Sequence, residues 1–261
     1  MDSGENRVPD VTLDGTIIHY EAAGDGFPLV LLHGIGSNSR SWRRQLAALA
    51  PDFKVIAWDA PGYGRSSDPS GKPSMRVYAD CLRRFLGAMG LNRIFLLGHS
   101  TGGVVAQEFY RMYPDLVRAL ILADTRYLGS QTVLEQRLNS LRTMTPAQLA
   151  QERGPKLLSP NAPPNLVQEV VSIMSEVRPV GYEFAARALA ESDTRDVLRN
   201  LPVPTLLIWG AEDEITPVWD EVPTEALLKI IPEAGHLCYI EQPARFNEIV
   251  KDFLASRLIQ N

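Results

Sequence analysis

The chain has 261 residues, of which 45% are hydrophobic and 22% charged, an ordinary globular composition that excludes a disordered chain. Its formal net charge of −5 gives no reason to expect a nucleic-acid partner or an anionic membrane surface. The first six residues lack the basic start and apolar run of a secretory signal, and no apolar stretch approaches the ~20 residues that span a bilayer. We therefore expect a soluble, cytoplasmic protein.

Strands and helices alternate along the first half of the sequence. The segment 11–20 predicts two strands joined at Asp14–Gly15, a strong hairpin signal, and 28–32 is an apolar run typical of a strand buried on both faces. Further strands are predicted at 53–58, 94–97 and 119–123, with helices around 42–49, 77–89 and 102–113. This alternation predicts a mostly parallel sheet with right-handed crossovers and helices on both faces.

The pattern changes between residues 127 and 201. Apolar residues there recur at helical spacing, six prolines divide the stretch into short helices, and no strand-like run occurs. The later predicted elements are a strand at 205–209, a strand or a helix at 226–231 and a closing helix at 246–253. We therefore predict an α/β core formed by 1–126 and 202–261, with a helical cap at 127–201.

The sequence Gly98-His99-Ser100-Thr101-Gly102 follows a predicted strand and precedes a predicted helix. In that context the G-x-S-x-G pattern indicates a tight strand-to-helix turn that exposes a nucleophilic serine. Small residues are needed two positions before and after the serine, because a Cβ atom there would clash. The alternative is a glycine-rich turn whose serine only caps the helix, and the strand-turn-helix context argues against it.

A serine hydroxyl needs a base to accept its proton, and the chain offers four histidines. His99 adjoins Ser100 and is interpreted as structural, because neighbours at such a turn point in different directions. His19 lies within the predicted hairpin, and His33 ends a strand where it fits a hydrogen-bonding scaffold for the following loop. His236 lies on a loop beyond the last predicted sheet element. We therefore predict His236 as the base.

The base needs a carboxylate that fixes its tautomer and stabilises its charged form. Asp213 follows the predicted strand 205–209 and gives the order Ser100, Asp213, His236, which is the nucleophile–acid–base order of α/β-hydrolases. Asp124 follows the predicted strand 119–123 and is a second candidate. Asp213 is thus the predicted acid, with Asp124 as the alternative.

Five motifs along the chain together resemble those of the α/β-hydrolase family, of its small, capped, single-domain kind. They are Leu32-His33-Gly34, the segment from Asp59 to Ser66, the turn Gly98–Gly102, Gly210-x-x-Asp213-x-x-x-Pro217, and Gly235-His236 with Glu241-Gln242-Pro243. The resemblance implies the α/β-hydrolase fold and an oxyanion hole formed by the backbone N–H groups of Ile35 and Thr101.

One feature departs from the family pattern. Only 23 residues separate Asp213 from His236, which is shorter than the resemblance predicts. The helix between Pro217 and Ala226 must therefore be short or irregular, and Asp124 stays open as the acid.

This machinery predicts hydrolysis of carboxylic esters or lactones through an acyl-enzyme, on a small and mainly hydrophobic substrate. Arg126, at the entrance to the predicted cap, is a candidate partner for a substrate carboxylate, or a surface residue. Three alternatives remain open: carbon–carbon bond hydrolysis of ring-cleavage products, cofactor-free perhydrolysis, and a ligand receptor with little turnover. We expect no metal and no cofactor, because the histidines lack ligand spacing and no phosphate-binding glycine pattern occurs. Cys81, on the apolar face of a predicted helix, is interpreted as a small hydrophobic side chain, and Cys238, two residues after His236, belongs to no nucleophile motif.

Overall fold

The computed structural model of the protein describes residues 9–199, 201–220 and 223–258. The first six residues, on which the expected lack of a secretory signal depends, lie outside this range. The described residues form eight strands in one sheet. The strands are β1 (Asp10–Leu13), β2 (Thr16–Ala23), β3 (Phe27–Leu32), β4 (Phe53–Trp58), β5 (Ile94–His99), β6 (Val117–Ala123), β7 (Thr205–Gly210) and β8 (Leu227–Ile231).

The sheet runs in the order β1-β2-β4-β3-β5-β6-β7-β8. β1 pairs with β2, and β2 with β4, in antiparallel fashion, whereas all later pairs are parallel. The predicted hairpin is confirmed, since Asp14 (φ 47°) and Gly15 (φ 85°) both have positive φ as a two-residue type I′ turn requires. The mostly parallel sheet expected from the alternation of strands and helices is thereby confirmed.

Helices cover both faces of the sheet and fill the stretch between β6 and β7. They are α1 (Arg43–Leu49), α2 (Met75–Ala88), α3 (Thr101–Met112), α4 (Gln131–Thr143), α5 (Pro146–Arg153), α6 (Pro164–Met174), α7 (Pro179–Ala190), α8 (Arg195–Arg199), α9 (Cys238–Glu241) and α10 (Pro243–Leu258). α2 and α3 pack on one face with the side chains of Val30 and Leu32, while α1 and α10 pack on the other with Leu29 and Leu31. This alternation reflects the two-residue period of a strand buried on both sides.

Helices α4–α8 belong to residues 127–201, named here the helical segment. Its two ends are held together, because the N–H of Gly129 donates to the carbonyl of Ser192 (2.8 Å) and the N–H of Thr194 donates to that of Tyr127 (2.8 Å). Glu169 on α6 also pairs with Arg44 on α1, which connects the helical segment to the helix layer on that face of the sheet. The segment thus leaves and rejoins the sheet at one place.

The chain between β7 and α9 resolves two open points of the sequence analysis. The segment 226–231, which fitted a strand or a helix, forms β8 beside β7. Between Pro217 and Ala226 no residue that the structure describes is helical, which agrees with the short acid-to-base spacing. Across the described part of the chain, no helix is both long and apolar enough to span a bilayer.

Candidate active site

Ser100 is the single residue between the end of β5 and the start of α3, and its backbone is strained. Its φ of 52° and ψ of −119° are unusual for a residue with a side chain, a conformation that costs about 1–3 kcal/mol. Two hydrogen bonds hold it there: the N–H of Ser100 donates to the carbonyl of Ala123 (2.9 Å), and Thr125 Oγ1 donates to the Ser100 carbonyl (2.6 Å). The neighbouring strand therefore fixes the turn that presents the hydroxyl.

Two glycines make this turn possible by leaving room for backbone atoms. A Cβ added at Gly98 would lie 2.3 Å from the carbonyl oxygen of Gly102, and one added at Gly102 would lie 2.3 Å from that of Leu32. Neither backbone oxygen can move aside without displacing a strand or a helix. The structure thus accounts for the small residues that the sequence pattern places two positions before and after Ser100.

The structure brings the three predicted catalytic side chains into one hydrogen-bonded series. His236 Nε2 lies 2.9 Å from Ser100 Oγ, and His236 Nδ1 lies 2.9 Å from Asp213 Oδ2. The other Asp213 oxygen accepts hydrogen bonds from the N–H groups of Ile215 (2.8 Å) and Thr216 (3.1 Å), which fix the carboxylate. With Nδ1–H donating to Asp213, Nε2 has a free lone pair and can accept the serine proton.

Asp124, the alternative acid, has different partners. Its Oδ1 accepts a hydrogen bond from the Gly210 N–H (2.8 Å) and its Oδ2 accepts one from the Cys238 thiol (2.9 Å). Burial raises the pKa of the Asp124 carboxyl well above its usual range, and the nearby Asp213 carboxylate raises that pKa further. Among the two candidates, Asp213 is therefore the carboxylate in contact with His236.

His33 orients the loop that follows β3. Its Nδ1–H donates to the Gly34 carbonyl (2.8 Å) and its Nε2 accepts from the Ala60 N–H (3.0 Å), so the ring is neutral with the proton on Nδ1. Burial lowers the pKa of His33, which favours this neutral form. Because a peptide unit is planar and trans, fixing the Gly34 carbonyl also fixes the Ile35 N–H on the opposite side. The interpretation of His33 as a scaffold for this loop is confirmed.

Two further side chains hold the loop that carries His236. His99 Nε2–H donates to the His236 carbonyl (2.7 Å), and burial lowers the pKa of His99 well below its usual range. The Glu241 carboxylate accepts from the N–H groups of Gly235 (2.7 Å) and Ser159 (2.8 Å). The structural interpretation of His99 is confirmed. The role of Glu241 was missed, although the residue belongs to the Glu-Gln-Pro motif after the base.

Ser100 and His236 line the same cavity. Ile35 lines the same cavity, and Thr101 begins α3 directly after the serine. Their role as oxyanion N–H donors stays a prediction. The helical segment contributes much of the remaining lining, most of it apolar. The side chains concerned are those of Leu157, Val170, Ile173, Met174 and Tyr182, together with Arg137 and Arg153. No sequence motif pointed to these two arginines.

Arg126, which the sequence analysis selected as a candidate partner for substrate, lies outside the cavity lining. Its Nη2 donates to the Ile215 carbonyl at 3.1 Å, and Ile215 itself does line the cavity. Burial lowers the pKa of the Arg126 guanidinium, while the nearby Asp213 carboxylate acts in the opposite direction. Its role in substrate binding stays a prediction.

The two thiols are both free and neither lines the cavity. Burial raises the pKa of Cys81 on α2 to about 11, and Cys238 is fully buried against Asp124.

Within residues 9–199, 201–220 and 223–258, no group of three or more His, Cys, Asp or Glu side chains is arranged to hold a metal ion.

Comparison with known proteins gives consistent similarities. A family model described as the alpha/beta hydrolase family matches residues 29–249. The chain is 26% identical to 3-oxoadipate enol-lactonase 2 of Acinetobacter baylyi over 92% of this chain and 94% of that protein. It is 30% identical to 2-hydroxymuconate semialdehyde hydrolase of Pseudomonas sp. strain CF600, over 94% and 93% respectively. Among solved structures, a thermophilic esterase from Thermogutta terrifontis with malate bound matches with a TM-score of 0.87 and 30% identity, over 96% of this chain and 97% of that one.

Proposed function

Because this chain belongs to the alpha/beta hydrolase family, we propose that it is a serine hydrolase that cleaves carboxylic esters or lactones through an acyl-enzyme. The observation that carries the proposal is the hydrogen-bonded series from Ser100 Oγ through His236 to Asp213, which opens onto a largely apolar cavity. A nucleophile, a base and an orienting acid at these distances form the arrangement needed for acyl transfer.

The first half of the reaction forms the acyl-enzyme. His236 Nε2 takes the proton of Ser100 Oγ as the oxygen attacks the substrate carbonyl carbon, and the carbonyl oxygen becomes an oxyanion. The N–H groups of Ile35 and Thr101 stabilise that oxyanion, and where such donors have been removed in other enzymes each loss costs about 2.7–4 kcal/mol. The tetrahedral intermediate then collapses, and His236 gives its proton to the leaving alkoxide. In a lactone the alkoxide stays attached to the acyl group.

The second half releases the acid. A water molecule attacks the acyl carbon while His236 Nε2 accepts one of its protons, and the bond to Ser100 Oγ breaks as that proton returns to the serine. Throughout both halves the Asp213 carboxylate stabilises the positively charged imidazole and keeps its Nδ1 proton in place.

We propose that the core comprises residues 1–126 and 202–261 and that the helical segment is a cap that selects the substrate. Its α6 and α7 supply Ile173, Met174 and Tyr182 to the cavity, a lining that favours a small, mainly hydrophobic acyl or alcohol group. The similarity to an enol-lactonase and to an esterase supports lactones and esters as the substrate classes.

A second candidate is carbon–carbon bond hydrolysis of ring-cleavage products. It is favoured by the similarity to the 2-hydroxymuconate semialdehyde hydrolase, which extends over nearly the whole of both chains. A panel of short-chain esters, lactones and a dienoate ketone distinguishes the two reactions by which substrate has the highest kcat/KM. Steady turnover of p-nitrophenyl acetate, against a single stoichiometric burst, distinguishes an enzyme from a low-turnover receptor.

The central test is Ser100→Ala, which removes one oxygen and should abolish ester hydrolysis while leaving the circular dichroism spectrum unchanged. A fluorophosphonate should label wild-type protein at Ser100, as located by peptide mass spectrometry. The matched control is Ser172→Ala, an exposed serine on α6 outside the cavity, which should keep both turnover and labelling. Wild-type turnover by Ser100→Ala, or labelling at another residue, would show that the nucleophile is misassigned.

A further inference from the structure

The one buried side chain of α4 is an arginine. Arg137 is only 6% exposed and lines the same cavity as Ser100, whereas the other described residues of α4 are half-buried or exposed. Its Nε atom is buried and has no hydrogen-bond partner among the described residues. An inward-facing guanidinium with an unused donor is expensive, because burying an unpaired charge costs free energy, whereas burying an apolar group stabilises the fold.

No carboxylate compensates this charge within the part of the chain that the structure describes. The nearby charged groups are the guanidiniums of Arg153 and Arg126, and the other neighbours are the phenols of Tyr182 and Tyr63. Arg153, on α5, lines the cavity beside Arg137, and neither arginine forms an ion pair with a described residue. Burial and these positive neighbours lower the pKa of Arg137, although an arginine remains charged at neutral pH. One end of the cavity lining is therefore positive and lacks a counter-ion.

We propose that Arg137, assisted by Arg153, binds a carboxylate of the substrate, so that the ester or lactone cleaved at Ser100 carries a second, ionised carboxyl group. This inference rests on the proposed function of Ser100. A guanidinium offers parallel N–H donors that match the two oxygens of a carboxylate, which would satisfy the unused Nε donor as well. The apolar side chains of Ile173 and Met174 line the same cavity and would contact a hydrocarbon chain between the two groups.

The test compares esters that differ only at the far end of the acyl chain. The acidic substrates are the mono-p-nitrophenyl esters of succinate, glutarate and adipate, and the neutral ones are p-nitrophenyl butanoate, pentanoate and hexanoate. Wild-type protein should prefer the acidic ester, by kcat/KM, at one or more chain lengths. Arg137→Gln should reduce that preference about 10- to 100-fold, the value of hydrogen bonds to a charged group. Arg142→Gln, an exposed arginine on the same helix, is the matched control and should keep the preference.

Arg137→Lys separates charge from geometry, because lysine keeps the positive charge but lacks the two-pronged donor arrangement. It should retain part of the acid preference and carries the test if Arg137→Gln does not fold. A wild type that prefers the neutral ester at every length, or an Arg137→Lys variant with the full wild-type preference, would overturn the assignment.

Binding without turnover separates this inference from the proposed function. In Ser100→Ala, free glutarate or adipate should raise the melting temperature, and the increase should disappear when Arg137→Gln is added. If wild type cleaves no ester yet shows this stabilisation, the proposed function fails and the carboxylate site stands. If it cleaves neutral esters and neither diacid stabilises it, the function stands and the site is wrong. Stabilisation by inorganic phosphate but by neither diacid would also overturn the carboxylate assignment.

Discussion

At the scale of single residues, hydrogen-bond partners distinguish two carboxylates that lie close together behind the base. Asp213 has one oxygen on His236 and the other on backbone N–H groups, so it is available to a charged imidazole. Asp124 directs both oxygens elsewhere, to Gly210 and Cys238. Their sequence positions, each after a strand, do not reveal this difference, because it depends on the side-chain directions that the strand ends impose.

Substituting each carboxylate in turn tests the assignment of the acid. Asp213→Asn should lower kcat by about 10⁴-fold, because an amide favours the wrong imidazole tautomer while keeping the shape. Asp124→Asn should lower kcat far less, since the Asp124 carboxylate is hydrogen-bonded to Gly210 and Cys238 rather than to His236 and does not line the cavity. The measurement is kcat for p-nitrophenyl acetate, with circular dichroism as the control for folding. The reverse order of the two effects would identify Asp124 as the acid.

His33 offers a test of backbone positioning. His33→Ala frees the Gly34 carbonyl, so the Ile35 N–H, the proposed oxyanion donor, should lose its fixed direction. We expect kcat to fall by about 10- to 100-fold, below the 10²–10³ that removal of a whole oxyanion donor costs, with little change in KM. His33→Asn, whose amide can still donate to Gly34, should recover part of kcat. A rise in KM at constant kcat would show that His33 acts on substrate binding instead.

Ser100 and His236 could be predicted from the sequence, whereas Arg137 could not. The serine and the histidine lie in short motifs whose local context restricts their geometry. α4 is mostly polar, and Arg137 is one of several charged residues in it, so its sequence does not distinguish this arginine from the others. Whether that side chain faces solvent or the cavity depends on how α4 packs against α7, which no local pattern encodes.

At the scale of elements, the turn from β5 to α3 shows why some boundaries are fixed by backbone packing. The helix begins immediately after the strand, so the two elements approach each other more closely than side chains allow. Gly98 lies at this close approach, where the lack of a Cβ atom leaves room for the backbone of α3. The prediction of this turn was accurate because the requirement is steric and therefore visible as residue type.

Two glycine substitutions test this steric argument. Gly98→Ala would place Cβ 2.3 Å from the carbonyl oxygen of Gly102. Because overpacking is destabilising, we expect the free energy of unfolding to fall by about 1–3 kcal/mol or more, together with a loss of activity. Gly87→Ala, in α2, would meet only the flexible end of Arg83, and alanine should stabilise that helix by up to about 1 kcal/mol. Urea unfolding measures both. A neutral Gly98→Ala would contradict the close approach.

β8 illustrates why one strand was ambiguous in the sequence. Leu227 and Ile230 are exposed although they are apolar, so the usual link between hydrophobicity and burial does not apply there. A run of six residues that is apolar except for Lys229 is too short to show a period that separates a strand from a helix. Only pairing with β7, a contact distant in sequence, decides its conformation.

At the scale of the whole molecule, the parallel sheet explains how residues so far apart in sequence meet. Carboxyl ends of parallel strands lie at one edge, and ligands of open α/β sheets bind outside that edge. Ile35 follows β3, Ser100 follows β5, Asp213 follows β7 and His236 follows β8. A mostly parallel sheet was predictable from the alternation of elements, and with it the meeting of these residues. The strand order, which places β3 beside β5, was not predicted.

The same burial that organises the site makes the fold sensitive to acid. His33 and His99 are buried at the carboxyl ends of β3 and β5, and burial lowers the pKa of each below the 6.5 of an exposed imidazole. Below pH 6.5 the unfolded chain therefore binds protons that the folded chain does not. As a result, the free energy of unfolding has its full value above that pH and decreases as the pH falls below it. Each ring contributes at most about 1.4 kcal/mol per pH unit.

Removing one imidazole should reduce this slope. In His99→Gln, the free energy of unfolding, measured with urea between pH 7.5 and 5, should decrease less steeply than in wild type, by up to about 1.4 kcal/mol per pH unit. Val104→Ala, a buried change on α3 without a titrating group, should lower stability at every pH and leave the slope unchanged. Titration of Asp124 cannot produce the same pH dependence. Its pKa is raised in the folded protein, so its contribution to stability is lost as the pH rises. An equal slope in His99→Gln and wild type would show that His99 is protonated in the folded protein, and the hydrogen bond from its Nε2–H to His236 would then have to hold a charged ring.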